Sequence, residues 1–232
     1  MMNSQTGVTV ASAETGVAAI LRVLVVLALT LPGVQWLATS QTIWAVSLDQ
    51  LPKGQILYLL SKLAALYAIA VFTLQLSYGI AGARARSMLG IDLGLRFHRA
   101  LGFGVLFLLL AHAGLFIAAV SVRAGHFASQ YALPDLFGGY YVSRIALGWW
   151  AGVGVLLAMA GALCRAQLKR VWRFAHWLSI PAAGAVVVHS WSIGTESRMP
   201  IMLIAYLCMG ALLFLATYLR FQFSASSRNS VA

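Results

Sequence analysis

Charged residues are scarce in this sequence. Only 9% of its 232 residues are Asp, Glu, Lys or Arg, against about 25% in a typical soluble domain. Hydrophobic residues make up 61%, so the composition excludes a soluble globular protein. Cysteines are also few: Cys164 and Cys208 cannot form a disulfide scaffold, and because no C-x-x-C motif is present we expect neither a structural zinc site nor a dithiol redox centre.

Long apolar runs, by contrast, are abundant. A transmembrane helix needs about 20 apolar residues, and six runs of that kind predict an all-α integral membrane protein built as a six-helix bundle. The predicted spans are 16–36, 56–80, 97–122, 142–163, 174–193 and 200–219. We expect a polar N-terminal tail at 1–15 without a cleaved signal peptide, a six-span domain at 16–220, and a cytoplasmic tail at 221–232.

The distribution of basic residues predicts how the chain is oriented. Net charge is +11, which in a membrane protein reports topology before it suggests nucleic acid, and no nucleic-acid partner is expected. One side of the predicted membrane carries Arg22, Arg84, Arg86, Arg96, Arg99, Arg165, Lys169, Arg170, Arg173, Arg220 and Arg228, and the other only Lys53, Arg123, Arg144 and Arg198. The richer side is predicted to be cytoplasmic, with both termini there. We expect the membrane to be a bacterial inner membrane. The third and fifth spans then run parallel.

Four of the five histidines fall in these two spans: His98 and His112 in the third, His176 and His189 in the fifth. Ionisable residues inside a bilayer are costly and indicate function. The separations of 14 and 13 residues correspond to about 21 and about 20 Å along a helix. Two parallel helices would therefore hold two facing pairs, His98 with His176 toward the cytoplasm and His112 with His189 toward the outside.

Facing imidazoles between helices can bind haem iron through both axial positions, so the pattern favours two haems between the third and fifth spans. On an ideal helix, two residues 14 apart point within about 40° of the same direction, whereas two residues 13 apart point about 140° away from each other. Pro181 removes a backbone hydrogen bond to Trp177, which permits a kink between His176 and His189. A zinc or copper site is disfavoured because the predicted spans contain no accompanying carboxylate. His126 is expected to be a solvated loop residue.

Other residues have two interpretations each. Haem propionates need cationic partners. The candidates are Arg99, Arg96 and Arg173 at the inner haem, and Arg144 and Arg123 at the outer haem. The alternative for each arginine is a position at the lipid headgroups. Gly148 and Gly152 form a GxxxG step that predicts close helix packing. Lys62, the remaining charge inside a span, is expected to snorkel.

Two segments carry a family resemblance. Residues 97–116, FHRALGFGVLFLLLAHAGLF, contain His-Arg-x-Leu-Gly and a second histidine after thirteen intervening residues; residues 168–191, LKRVWRFAHWLSIPAAGAVVVHSW, have two histidines with twelve intervening. They resemble the third and fifth core helices of the ferric reductase-like transmembrane domain family, which includes NADPH oxidases and metalloreductases. The resemblance covers about 56–219 and implies iron in two b-type haems bound by the four histidines, in a cytochrome b-like oxidoreductase subunit that transports electrons.

The resemblance also implies partners. Full-length relatives continue into a cytoplasmic flavin and nicotinamide domain, whereas about a dozen residues follow Leu219 here. A separate flavin reductase or reduced flavin is therefore expected as donor, with FMN or FAD from a partner left open, and a periplasmic protein or small molecule as acceptor. The alternatives are the haem subunit of a periplasmic methionine sulfoxide reductase, a quinol-linked cytochrome b, a histidine-relay transporter, and a membrane assembly protein without cofactor.

Overall fold

The computed structural model describes residues 5–88 and 90–229. Those residues are helical and contain no strand. The long helices are Gln5–Trp44, Gln55–Met88, Gly94–Ala124, Tyr140–Leu163, Val171–Trp177, Ser179–Ile193 and Pro200–Asn229. Short helical segments lie between them at Leu48–Gln50, Ser129–Ala132, Arg165–Leu168 and Glu196–Arg198.

Six stretches of these helices are long and apolar enough to cross a membrane. In chain order, the first to sixth spans are Gly16–Gln41, Gln55–Ala83, Gly94–Ala124, Tyr140–Leu163, Val171–Ile193 and Pro200–Gln222. The predicted helical class and the six spans are confirmed, and the chain is an integral membrane protein by the length and composition of its helices. The first and last helices extend into the predicted tails, of which residues 1–4 and 230–232 lie outside the described residues.

The second span is the most enclosed element of the bundle. Half of its most apolar window is buried, against 11% for the third span and 6% for the fifth. It packs along the third and sixth spans, the first span packs on the second and sixth, and the fourth packs along the fifth. Contact between the third and fourth spans is slight. The bundle therefore has two helix groups, one formed by the first, second, third and sixth spans and the other by the fourth and fifth.

A buried apolar cluster joins the two helix groups. It consists of Phe72, Val105, Val155 and Ala182, one residue from each of the second, third, fourth and fifth spans. Val105 is fully buried and Ala182 is 4% exposed. Because lipid tails are as apolar as these side chains, the cluster holds the groups together by close packing rather than by exclusion of water.

The fifth span is broken between its two histidines. One helix ends at Trp177 and the next begins at Ser179, with Leu178 between them. Pro181 has no backbone N–H, so the carbonyl of Trp177 lacks its usual helical donor. The regular α-helical pattern is therefore interrupted between His176 and His189, although Leu178 itself keeps helical dihedral angles.

Candidate functional site

The four histidines of the third and fifth spans form two pairs. The ring centroids of His98 and His176 are 6.2 Å apart with an interplanar angle of 75°. Those of His112 and His189 are 6.3 Å apart with an angle of 71°. Each pair takes one ring from each helix group, so the imidazoles bridge the gap between the groups.

Backbone carbonyls of neighbouring spans orient three of the four rings. The contacts are His112 Nδ1 to the Ser61 carbonyl at 3.0 Å, His176 Nδ1 to the Ala158 carbonyl at 3.2 Å, and His189 Nδ1 to the Arg144 carbonyl at 2.7 Å. A carbonyl oxygen can only accept a hydrogen bond, which assigns the proton to Nδ1 in His176 and His189. The same assignment holds for His112, because Ser61 Oγ, 2.9 Å from its Nδ1, donates its own proton to the His112 carbonyl. In a neutral imidazole Nε2 then keeps its lone pair and is available to bind a metal.

His98 is held differently. Its Nδ1 is buried and makes no hydrogen bond to any described residue, although the backbone of Gln75 lies close enough to interact with the ring. Tyr78 stacks on it with a centroid separation of 6.4 Å. At Gly79, an added Cβ would lie 3.3 Å from His98 Cε1. Packing therefore positions this ring.

A polar cluster fastens the loop beside His98. Asp92, which lies between the second and third spans, accepts hydrogen bonds from Tyr78 Oη at 3.0 Å, Arg86 Nε at 3.1 Å and the Gly94 N–H at 3.1 Å. The Gly94 N–H contributes most to holding the pKa of Asp92 below its usual range, followed by Arg86 and Tyr78. The carboxylate therefore remains charged and keeps the Tyr78 ring, on which Arg86 also stacks at 4.2 Å, next to His98.

A cavity of about 220 Å³ lies beside the His112 and His189 rings, which form part of its wall. Its walls come from the second, third, fourth and fifth spans and from the connection that follows the fifth. Apolar side chains such as Leu106 and Leu109 form most of the lining. One part is polar, with Tyr58, Lys62, Tyr141, Thr195 and Glu196. The combination suits a ligand with a large apolar body and an acidic or hydrogen-bonding edge.

Lys62 forms an ion pair in this polar part. Its Nζ lies 2.6 Å from Glu196 Oε1 and 2.9 Å from Thr195 Oγ1. Glu196 is only 5% exposed, although it lies in the short helical segment Glu196–Arg198 outside the spans. The Lys62 ammonium group therefore ends on two residues of the connection that follows the fifth span, which agrees with the expected direction of snorkelling. Sequence reasoning missed Glu196; its closeness to the end of a histidine-bearing span was the available signal.

The two glycines of the predicted GxxxG step, Gly148 and Gly152, have different surroundings. A Cβ added at Gly148 would lie 2.7 Å from Cε1 and 2.8 Å from Nδ1 of His189, so this glycine makes room for an imidazole. Gly152 lines the cavity, and an added Cβ would meet nothing within 4 Å. The fourth and fifth spans instead approach closely at Gly154 and Gly161, where added Cβ atoms would lie 3.1 and 2.6 Å from alanines of the fifth span.

The candidate arginines do not line the cavity. Arg96, Arg99, Arg123 and Arg173 are exposed, and Arg123 donates to Gln55 Oε1 at 3.0 Å. Arg144 stacks on Tyr140 at 5.2 Å, and its Nε is buried without a hydrogen-bond partner among the described residues. His126 is exposed in its loop. Lys62 is therefore the cation that the structure brings to the cavity of the His112 and His189 pair.

No protein-family model, curated protein or solved structure matches this chain. In the part of the chain that the structure describes, no three His, Cys, Asp or Glu side chains group closely enough to hold a metal ion among themselves.

Proposed function

We propose that this protein carries electrons across a membrane through two b-type haems, one held by His98 and His176 and the other by His112 and His189. The spacing of the rings carries the proposal. A metal-bound imidazole nitrogen lies about 2.0–2.1 Å from the metal and about 1.1 Å from its ring centroid, so two rings on opposite sides of one metal have centroids about 6.2–6.4 Å apart. The measured separations are 6.2 and 6.3 Å.

The donor set also fits haem. A porphyrin supplies four nitrogens to its iron, so two axial imidazoles complete the coordination and no third protein ligand is needed. With both axial positions filled, haem supplies one-electron transfer rather than oxygen binding. The backbone carbonyls that fix Nδ1–H in His112, His176 and His189 leave Nε2 for this role.

The cavity beside the His112 and His189 pair is mostly apolar, as a porphyrin face requires. Its volume of about 220 Å³ is below the range of about 300–1,000 Å³ common for ligand pockets. A porphyrin held by these two histidines would need further room, and the slight contact between the third and fourth spans would provide it.

The apolar cluster separates the two imidazole pairs. Val105 lies seven residues from both His98 and His112, which corresponds to about 10.5 Å of helix on each side. Ala182 has a similar place between His176 and His189. Protons and ions need polar groups or water to pass through the middle of a membrane, whereas electrons do not. The layer is therefore compatible with electron transfer between the pairs and opposes ion transport.

The resemblance to ferric reductase-like domains and the distribution of basic residues support a direction. In this proposal the His98 and His176 pair faces the cytoplasm of a bacterium and receives electrons from a flavin reductase or reduced flavin, with FMN or FAD supplied by a partner. The His112 and His189 pair passes them to a periplasmic protein or a small acceptor. If the acceptor were a periplasmic methionine sulfoxide reductase, or the donor a quinol, electrons would pass through the same two pairs.

A proton relay is the second candidate function. Lys62 and Glu196 line the same cavity as His112 and His189, which supplies a buried carboxylate beside the histidines, and proton relays commonly use such carboxylates. The buried apolar cluster around Val105 lies between the two pairs, and an apolar layer at this depth favours electron transfer over this alternative.

Single histidine substitutions test the proposal. His112→Ala or His189→Ala should each remove one haem from the purified protein and leave the other reducible. His98→Ala or His176→Ala should remove the complementary haem, because each haem depends on its own two ligands. Haem per polypeptide and reduced-minus-oxidised spectra give the result. His126→Ala is the matched control and should leave the spectrum unchanged.

Loss of both haems on every single change would argue against two separate sites. A haem-free wild-type protein whose ion flux falls in the same four variants would favour the relay.

A further inference from the structure

We propose that Lys62 binds a propionate of the haem held by His112 and His189. The inference rests on the proposed function and assigns the residue that recognises the acidic edge of the cofactor. Lys62 lines the cavity beside this pair, whereas Arg144 and Arg123, which the sequence suggested for the same haem, are not among the lining residues.

The second span couples Lys62 to a haem ligand. Ser61 Oγ lies 2.9 Å from His112 Nδ1 and donates to the His112 carbonyl at 2.9 Å. Lys62 is the next residue and lines the cavity to which the His112 ring also belongs. One turn of helix therefore sets the positions of both the axial ligand and the cation.

The ammonium group of Lys62 has a donor to spare. It carries three N–H donors, of which Glu196 and Thr195 accept two. The third has no acceptor among the described residues, and the Tyr58 ring lies under the charge at 4.9 Å. A carboxylate oxygen is the strongest partner for such a donor in apolar surroundings.

Glu196 and Thr195 keep Lys62 at the cavity. The Glu196 side chain is 7% exposed, and a buried ion pair of this kind adds little to stability because both charges lose their hydration. Its role here is positional: it fixes the end of the long lysine side chain beside the cavity that both residues line. The hydroxyls of Tyr58 and Tyr141 line the same polar part and can donate to the other oxygen of the propionate.

Reconstitution with two forms of the cofactor tests this assignment. The full-length protein with His98→Ala is prepared in detergent without haem. Its intact His112 and His189 pair then reports haemin binding at the cavity. Haemin should bind at least about tenfold more weakly when Lys62→Met is added, which is the loss expected for one hydrogen bond to a charged group. With Lys62→Arg in place of Lys62→Met, most of the haemin affinity should return. Arg123→Met is the matched control, because this arginine also lies over the Tyr58 ring, at 5.9 Å, but does not line the cavity. The Arg123→Met protein should bind haemin as tightly as the His98→Ala protein alone.

Haemin dimethyl ester, whose propionates carry no charge, separates recognition from a structural effect. We expect the ester to bind equally well with and without Lys62→Met. Equal haemin binding by the two proteins, or an equal loss with both cofactors, would overturn the role of Lys62. If neither this protein nor wild type bound haemin, the proposed function itself would fail.

Discussion

Helical carbonyls orient the candidate ligands at the scale of single residues. Ser61 belongs to the second span, and Ala158 and Arg144 belong to the fourth; their carbonyls accept from imidazole N–H groups in the third and fifth spans. A carbonyl has two lone pairs, so it can accept from a histidine as well as from its own helix. The ligand nitrogen is therefore fixed by packing between spans, and changing the side chain of Ala158 or Arg144 leaves that acceptor in place.

Gly148 provides a residue-scale prediction. Gly148→Ala should reduce haem binding at the His112 and His189 pair, because the new methyl group would lie 2.7 Å from the His189 ring and force it off its 2.7 Å hydrogen bond to Arg144. We expect haem content to fall by about half, with the remaining haem spectrally normal, since the two pairs are separate.

Gly114→Ala is the control for this change. Gly114 lies in the third span, is exposed, and has nothing within 4 Å of an added Cβ, so its haem content should equal that of wild type. Normal haem content in Gly148→Ala as well would show that the observed placement of the His189 ring is wrong.

Sequence reasoning found the histidines but not their surroundings. The spacing of His98, His112, His176 and His189 within apolar runs indicated two levels because axial rise follows directly from residue number. Glu196 was missed because its burial depends on how the connection after the fifth span folds back. The contact of Gly148 with the His189 ring was missed because a small residue makes room for a ligand ring as readily as for another helix.

At the scale of elements, the break in the fifth span accounts for the paired imidazoles. An ideal helix would turn two residues 13 apart by about 140° from each other, yet His176 and His189 each meet a ring of the third span. The break at Leu178 lies where Pro181 leaves the Trp177 carbonyl without a helical donor, and Ser179 Oγ donates to the His176 carbonyl at 2.8 Å beside it.

Removal of this proline tests the role of the break. Pro181→Ala restores a backbone N–H and a strong helix former, so the two halves should join into one helix and turn the histidines apart. We expect one of the two haems to be lost or to become high-spin in absorption and electron paramagnetic resonance spectra.

Pro200→Ala is the matched control. Pro200 is the first residue of the last helix, where a missing N–H removes no hydrogen bond, and both haems should stay low-spin. Two unchanged haems in Pro181→Ala would show that the break is not needed to aim the histidines.

Hydropathy predicted the six spans but not which spans pack together. Each span is apolar on most of its surface, so no polar face distinguishes the side toward lipid from the side toward another helix. The partition into two helix groups depends on particular close approaches, such as Gly161 against the fifth span, which periodicity does not reveal.

For the whole molecule, the gap between the two helix groups is the central feature. The groups meet through the apolar cluster around Val105 and through imidazoles that face each other across the gap. A cofactor bound by one ring from each group would tie them together, and any ligand that binds only the folded state stabilises it. The proposed haems would thus serve both as redox groups and as structural links.

The haem-to-polypeptide ratio of the purified protein in detergent tests this account most directly. A pyridine haemochrome assay gives the ratio, and reduced-minus-oxidised spectra show the coordination. The proposal that each imidazole pair binds one haem iron predicts about two b-type haems per chain. Both haems would be low-spin, because two histidines would bind each iron. Protein that is folded and contains no haem, even after incubation with haemin, would contradict the electron-transfer function.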